Sequence, residues 1–192
     1  MIITVGVPRE NREEAAALYW DAFGEKLGFM LGPKQKALEF ILSVLRADHG
    51  ICAHDEEGNL LGIAGFKSPQ GALVGGTFRD LCETYGWASA CVRSVFLAAL
   101  ERDVENERFL MDGIFVAEPA RGKGVGTALL DAIASEAKNR GYTQVRLDVV
   151  DSNPRAKALY QHIGFKEVKT VKTGLFKYIV KFNAATTMVL DL

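Results

Sequence analysis

The sequence predicts an α/β (α+β) fold in which a mixed β-sheet carries helices on both faces. The first observation is that apolar residues switch repeatedly between the two-residue alternation of strands and the 3.6-residue spacing of helices. Along the chain these patterns give the order β-α-α-β-β, a helical segment, and then β-α-β-α-β-β. The second observation is the length of 192 residues, from which we expect residues 1–192 to form one domain with a full core.

Five elements are predicted in the first third of the chain. Residues 2–7 form a β-branched strand, and residues 12–23 form a helix that is followed by a glycine-containing loop. A second helix is expected over residues 34–48. Residues 51–54 and 60–67 then form a hairpin. The apolar stripe of the first helix consists of Ala16, Leu18, Tyr19 and Phe23.

Residues 68–108 are predicted to form a helical insertion between two strands. Thr77 followed by Asp80 is a capping pair that starts a helix. Gly86 predicts a break, so that one or two helices are expected. The apolar stripe of the second part consists of Ala88, Cys91, Val92, Val95 and Ala99.

The second half of the chain alternates strands and helices more regularly. Gly141 is expected to end one helix, and Pro154 to begin the next, which ends at Gly164. The predicted elements are residues 109–116, 125–140, 145–149, 154–163, 165–172 and 186–192.

Composition excludes several classes of function. The 23 basic and 24 acidic residues give a net charge of −1, so nucleic acid is not an expected partner. No apolar stretch is long enough to span a membrane, and residues 1–5 do not read as a signal peptide. The three cysteines are expected to be reduced thiols in a cytoplasmic protein, and the scattered histidines predict no metal site.

One glycine-rich segment lies between a predicted strand and the start of a long helix. Glycines let backbone amides approach a ligand closely, and a helix N-terminus carries unpaired amides and a partial positive charge. The segment therefore favours a phosphate or pyrophosphate site, although a purely structural turn has the same pattern. It lacks the Lys-Ser/Thr of a P-loop. Its residues are Arg121, Gly122, Lys123, Gly124, Val125, Gly126 and Thr127.

A second motif follows the next strand, and together the two resemble the GNAT acetyltransferase family. The family's first motif, Gln/Arg-x-x-Gly-x-Gly/Ala, is met by Arg121, Gly124 and Gly126. The resemblance covers about residues 110–168, and the helical insertion departs from the short turn that most relatives have there. The second motif is met by Asn153, Ala156, Leu159, Tyr160, Gly164 and Phe165.

The resemblance implies a fold and a site for acetyl-CoA. The fold is a mixed, mostly antiparallel sheet of about six or seven strands. The pyrophosphate would rest on the amides of residues 121–127, and the pantetheine arm would run along the backbone of Ile114, Phe115 and Val116. Asn153 would hydrogen-bond the arm and Lys157 would flank it, although Asn153 is also a natural helix N-cap.

Three catalytic candidates follow from the same resemblance. Tyr160 matches a tyrosine that faces the thioester sulfur, where a phenol can protonate the leaving thiolate; it can also be a packing residue. Asp148 and Asp112 are alternative general bases, and each can instead be a solvated or ion-paired strand residue. By simple alternation Asp112 shares a face with Ile114 and Val116, and the Val116 amide is the expected oxyanion donor.

The expected activity is direct transfer of an acetyl group from acetyl-CoA to a primary amine of a small molecule or peptide, without a metal. The alternative is an acetyl-CoA-binding regulator without turnover. The apolar stripe of the insertion can pack on its own domain, cover the acceptor as a lid, or form a homodimer contact. We also hypothesise that residues 71–76, with Gly75 and Gly76, lie near the acceptor and shape which amine fits.

Overall fold

The computed structural model describes residues 1–100, 107–174 and 182–192, and within these ranges it contains eight strands and six helices. The strands are β1 Ile2–Val5, β2 Gly50–His54, β3 Leu60–Ser68, β4 Gly71–Ala72, β5 Phe109–Val116, β6 Gln144–Val150, β7 Lys166–Lys172 and β8 Ala184–Asp191. The helices are α1 Arg12–Leu31, α2 Lys34–Val44, α3 Phe78–Tyr85, α4 Trp87–Leu100, α5 Val125–Asn139 and α6 Pro154–Ile163.

The strands form one sheet in the order β1-β2-β3-β5-β6-β8-β7, with the short β4 paired to β3. Every pair is antiparallel except β5 with β6. The mixed, mostly antiparallel sheet expected from the sequence is therefore confirmed. None of the described helices is long and apolar enough to cross a bilayer.

The central parallel pair is joined over a short distance only. β5 pairs with β6 at Phe109–Val145 and at Leu110–Arg146, and no register continues beyond these two pairs. β5 itself stays paired with β3 as far as Val116. The C-terminal half of β5 therefore has one edge bound to β3 and the other edge open toward β6.

A β-bulge interrupts β5 next to this opening. Met111 pairs with Phe66 and Gly113 pairs with Gly65, so Asp112 is the extra residue. In a bulge, two consecutive residues of one strand lie opposite a single residue of the partner strand, and here Asp112 and Gly113 lie opposite Gly65. The side chain of Asp112 therefore lies on the same face as Gly113 and Gly65.

The bulge corrects one expectation from the sequence. Ile114 and Val116 pack toward the core cluster that contains α5, whereas Phe115 belongs to the cluster formed with α1 and α2. A Cβ at Gly65 would contact Leu73 of that second cluster, so this face of β5 is the α1 face. The prediction that Asp112 shares a face with Ile114 and Val116 is therefore wrong, because one inserted residue reverses the alternation.

Helices cover both faces of the sheet, as predicted. On one face α5 buries an apolar stripe at helical spacing, and it approaches β3 closely because Gly62 has no side chain. A Cβ at Gly62 would lie 2.8 Å from the Phe115 carbonyl oxygen. The other face is covered by α1 and α2. The stripe of α5 is Val125, Leu129, Ile133 and Ala137.

The first helix is longer than predicted. The glycines at 24 and 28 suggested a loop, but α1 continues through both of them to Leu31. The Trp20 indole lies over Gly24, where a Cβ would be only 2.9 Å from Trp20 Cε2. Gly24 therefore makes room for a large side chain one turn earlier, and tertiary packing overrides its low helix propensity.

The insertion contains two helices that meet at Gly86, and the predicted capping box of Thr77 and Asp80 is present at the start of α3. The apolar residues of α3 and part of α4 pack on α1 and α2. The Tyr85 hydroxyl donates a 2.6 Å hydrogen bond to the Leu31 carbonyl, and the Arg93 guanidinium lies 4.0 Å above the Tyr85 ring. Residues 101–106 of the insertion, and the side-chain setting of Ala99, lie outside the described residues.

The glycine-rich start of the insertion offers a matched pair of substitutions. A Cβ at Gly76 would lie 2.5 Å from Phe40 Cζ, whereas a Cβ at Gly75 would meet nothing closer than 3.9 Å. We expect Gly76→Ala to lower the free energy of unfolding by about 1–3 kcal/mol through overpacking, and Gly75→Ala to change it little. Urea unfolding of the two variants measures this difference, and equal stabilities would contradict the packing role of Gly76.

Candidate active site

The opening between β5 and β6 exposes backbone groups that have no partner strand. Ala117 N–H donates to the Leu61 carbonyl, which makes the next pair, Val116 with Gly62, a non-hydrogen-bonded pair of the antiparallel ladder. By the same alternation, the backbone N–H and C=O of Val116 and Ile114 point away from β3 and toward β6. An extended ligand placed in the opening would meet these groups as a neighbouring strand does.

A cluster of free amides lies just beyond the end of β5. Gly122 and Gly124 adopt positive φ angles of 79° and 80°, and nothing lies within 4 Å of the position where a Cβ would stand on either. The first helical bond of α5 runs from Ala128 N–H to the Gly124 carbonyl. Within the described chain, five amides therefore have no backbone acceptor. They belong to Gly122, Gly124, Val125, Gly126 and Thr127.

The side chains of this segment divide into exposed and buried ones. The exposed Arg121 donates a 3.2 Å hydrogen bond from Nε to the Val116 carbonyl, so it links the loop to the end of β5. Lys123 is exposed, whereas Val125 is buried and anchors α5 to the core. A Cβ at Gly126 would lie 3.2 Å from Leu159 of α6. The segment is thus anchored by the buried Val125 and carries the accessible positive charges of Arg121 and Lys123.

Two predicted site residues lie at and near the start of α6. Asn153 caps the helix, because its Oδ1 accepts a 3.1 Å hydrogen bond from Ala156 N–H. Its Nδ2 makes no hydrogen bond to the described part of the chain, so it is free to donate to a ligand. Lys157 forms a 2.9 Å ion pair with Glu167 on β7.

Tyr160 is a buried residue of α6 with 6% of its surface exposed, and it packs in the same cluster as α5. Its ring lies 5.8 Å from that of Phe165. Desolvation raises the pKa of its hydroxyl to about 12, so Tyr160 is a neutral phenol at physiological pH. Within the described residues this hydroxyl makes no hydrogen bond, so it is available to a ligand.

The two candidate bases lie in different environments. Asp112 is exposed at the surface, yet desolvation by the surrounding protein raises its pKa, while the charge of Lys67 opposes that shift. Asp148 accepts a 2.5 Å hydrogen bond from Thr187 and pairs with Arg146 at 3.3 Å. Both contacts engage the Asp148 carboxylate, so the Asp112 carboxylate is the more available of the two to an incoming amine.

The two carboxylates nevertheless flank the same opening. Leu110 and Arg146 are paired, and Asp112 and Asp148 each lie two residues further along strands that then diverge. Val145, Leu147 and Val149 face the α5 cluster, so Asp148 lies on the opposite face, which is also that of Asp112.

Sequence reasoning did not select Tyr19 as a site residue. It treated Tyr19 as part of an apolar helical stripe, and Tyr19 does pack in the cluster of α1, α2 and Phe115. Burial and, to a smaller extent, the Asp112 charge raise the pKa of Tyr19. The Tyr19 ring packs against Phe115, whose ring lies over Gly113, the residue next to Asp112. No pattern in the sequence connects residue 19 with residue 112. Among the residues that the structure describes, no group of three or more His, Cys, Asp or Glu side chains is placed to hold a metal.

The site consists of an open parallel strand pair with a cluster of backbone amides beyond it. Comparison with known proteins identifies the family that has this α/β fold. The family described as "Acetyltransferase (GNAT) family" matches residues 12–165. Because that match covers most of the chain, the protein belongs to the GNAT acetyltransferase family.

Individual relatives are more distant. Mouse thialysine N-epsilon-acetyltransferase is 36% identical over 58 residues, which cover 30% of this chain and 34% of that protein. The match thus spans about a third of that relative's length. An N-acetyltransferase from Staphylococcus aureus Mu50 superposes with a TM-score of 0.68 at 17% identity, covering 99% of this chain and 100% of that one.

One solved neighbour carries a ligand. A streptothricin acetyltransferase described as putative, from Bacillus anthracis, was crystallised with acetyl coenzyme A; its TM-score is 0.51 at 15% identity, over 74% of this chain and 61% of that one. At these identities the structural likenesses show the fold alone.

Proposed function

We propose that this protein transfers the acetyl group of acetyl-CoA directly to a primary amine of a small molecule or peptide. The observation that carries the proposal is the opening between β5 and β6. It has free amides beyond one end and a neutral tyrosine on one face, and a desolvated carboxylate lies on the other. Acetyl transfer to an amine needs an anion site, an acid for the thiolate and an acceptor for the amine proton.

The residues present fit acetyl-CoA. The amides of residues 121–127 and the charges of Arg121 and Lys123 suit its pyrophosphate. The outward backbone groups of Ile114 and Val116, with Phe115 between them, suit the amides of the pantetheine arm, and the free Nδ2 of Asn153 adds a donor. Lys157, held by Glu167, would flank the arm.

The proposed reaction takes place in the opening, between Asp112 on one face of the sheet and Tyr160 on the other. Asp112 takes a proton from the amine, whose nitrogen attacks the thioester carbon and forms the new C–N bond. The Val116 N–H, which points into the opening, donates to the oxyanion. The C–S bond breaks as the intermediate collapses, and the thiolate takes its proton from Tyr160, so the products are the amide and the free thiol.

The anion site can be tested with two substitutions of nearly equal shape. Gly124→Asp and Gly124→Asn place similar side chains at a positive φ, which Asn and Asp tolerate better than other residues. Only the Asp variant adds a negative charge beside the pyrophosphate. We expect it to bind acetyl-CoA about 10-fold more weakly than the Asn variant does, as an unfavourable charge contact of about 1.4 kcal/mol would require.

Calorimetric titration with acetyl-CoA, on variants shown by circular dichroism to be folded, measures this difference. The comparison removes the effect of backbone strain, because both variants carry it. Equal affinities of the two variants would show that the pyrophosphate does not lie against Gly124.

The acceptor is best found with a screen. Release of the CoA thiol is followed with acetyl-CoA and a panel that includes thialysine, L-lysine, spermidine, n-butylamine, 2-phenylethylamine and peptide N-termini. Turnover with at least one amine supports the proposal. Acetyl-CoA binding without turnover would favour a regulatory protein, and the absence of binding would contradict both functions.

Three further expectations, on location, oligomeric state and domain organisation, are also predictions. The cytoplasmic location is a prediction from the sequence. A homodimer stays a prediction, motivated by the outward side of α4, where Trp87, Val92 and Val95 are 73%, 61% and 69% exposed. The single-domain organisation of residues 1–192 is part of the same proposal.

A further inference from the structure

The Tyr19 hydroxyl is available to a ligand. The residue is only 9% exposed, so its ring is fixed by packing, and within the described chain its hydroxyl makes no hydrogen bond. Tyr85, by contrast, donates its hydroxyl to the Leu31 carbonyl at 2.6 Å.

The surroundings of Tyr19 place its ring against the C-terminal half of β5, the part of the strand that borders the opening. The Tyr19 ring lies 5.4 Å from that of Phe115 and 4.9 Å from that of Phe23. The Phe115 ring folds back over Gly113, where a Cβ would lie 2.6 Å from its Cζ. The absence of a side chain at Gly113 thus lets three aromatic rings pack directly next to Asp112.

Asp112 is the charged residue that interacts with Tyr19 on this side of β5. The bulge turns it onto the α1 face of the sheet, which is the face that Tyr19 covers. Burial and, to a smaller extent, the Asp112 charge raise the pKa of Tyr19, and Lys67 also interacts with Asp112. The Asp112 carboxylate and the Tyr19 side chain therefore lie on the same side of the strand that borders the opening, with the Phe115 ring packed against Tyr19 and over Gly113.

We propose that the Tyr19 hydroxyl binds the amino group of the acceptor beside Asp112. In this arrangement the phenol oxygen accepts a hydrogen bond from an N–H of the amine, while Asp112 takes the proton that the amine must lose. The two contacts orient the nitrogen lone pair toward the thioester in the opening. The inference rests on the acetyl transfer proposed above, and it assigns to α1 a residue that contacts the substrate.

The test compares Tyr19→Phe with Tyr85→Phe. Each change removes one hydroxyl and keeps the ring. Removing the Tyr19 hydroxyl, which makes no hydrogen bond within the described chain, should leave thermal stability nearly unchanged, whereas removing the bonded hydroxyl of Tyr85 should lower it. For Tyr19→Phe we expect kcat/KM for the amine to fall about 10-fold, as for the loss of one hydrogen bond to the reacting group. Affinity for acetyl-CoA should not change.

The amine is whichever of n-butylamine, 2-phenylethylamine, L-lysine, spermidine or thialysine the wild-type protein acetylates best. If the wild-type protein turns over none of the amines in the full screen, the proposed function and this inference both fail. If the wild-type protein is active and Tyr19→Phe has unchanged amine kinetics, only the inference is overturned. A Tyr19→Phe variant that loses stability and acetyl-CoA affinity together would show that the hydroxyl is structural, which also overturns the inference.

Discussion

Replacing Tyr160 by Phe is expected to lower turnover by about 10²-fold, which is the lower range of what a general acid contributes. The CoA thiolate is a poor leaving group unless a donor stabilises it. Tyr160 offers a neutral hydroxyl, because burial keeps its pKa at about 12, and this hydroxyl is not engaged elsewhere in the described chain. The effect should appear in kcat, with the affinity for acetyl-CoA nearly unchanged.

The matched control for this substitution is Tyr142→Phe. Tyr142 packs against Phe109 at the first residue of β5, far along the strand from the opening. Its loss of a hydroxyl should leave kcat at the wild-type value. Steady-state kinetics with saturating acetyl-CoA measures both variants, and a Tyr160→Phe enzyme as active as the control would make Tyr160 a packing residue.

Replacing Asp112 by Asn should also lower turnover by about 10²-fold and should remove the acidic limb of the pH–rate profile. The base must be ionised, so activity falls as pH drops through the pKa of Asp112. Desolvation raises that pKa above the ordinary value for Asp, which places the limb at a higher pH than an exposed carboxylate would give. Asp148→Asn is the control, since Asp148 is held by Thr187 and Arg146.

The same substitution should act on stability in the opposite direction. A carboxyl with a higher pKa in the folded than in the unfolded chain stabilises the fold only while it is protonated. Its contribution is lost as pH rises through the folded-state pKa. At neutral pH we therefore expect Asp112→Asn to raise the melting temperature while lowering activity. An acidic limb that persists in Asp112→Asn and disappears in Asp148→Asn would reverse the assignment of the base.

Local patterns were enough to predict the elements that build the proposed anion site. Strand β5, helix α5 and helix α6 begin and end within one residue of their predicted bounds, because alternation, glycine stops and a proline at the helix start all agree there. The order of the elements also predicted helices on both faces of the sheet. These features depend on residues that are close together in the sequence.

Features that depend on distant residues were not predictable in the same way. The length of α1 depends on Trp20 packing over Gly24, which reads as a loop residue. The face on which Asp112 lies depends on one extra residue relative to β3, and no alternation pattern reveals it. Tyr19 looked like a core residue and does pack in the core; only its missing hydrogen bond and its position beside Asp112 distinguish it.

The short contact between β5 and β6 has a mechanical consequence. Five strands, β1, β2, β3, β4 and β5, lie on one side of this contact, and β6, β8 and β7 lie on the other. Two residue pairs are the only sheet pairing between these halves in the described chain. A thioester ligand lying in the opening would connect the two halves of the sheet. Its amides would hydrogen-bond to β5, and its acyl end would lie close to β6. Substrate binding would then stiffen the whole sheet, so part of its binding free energy would appear as resistance to unfolding.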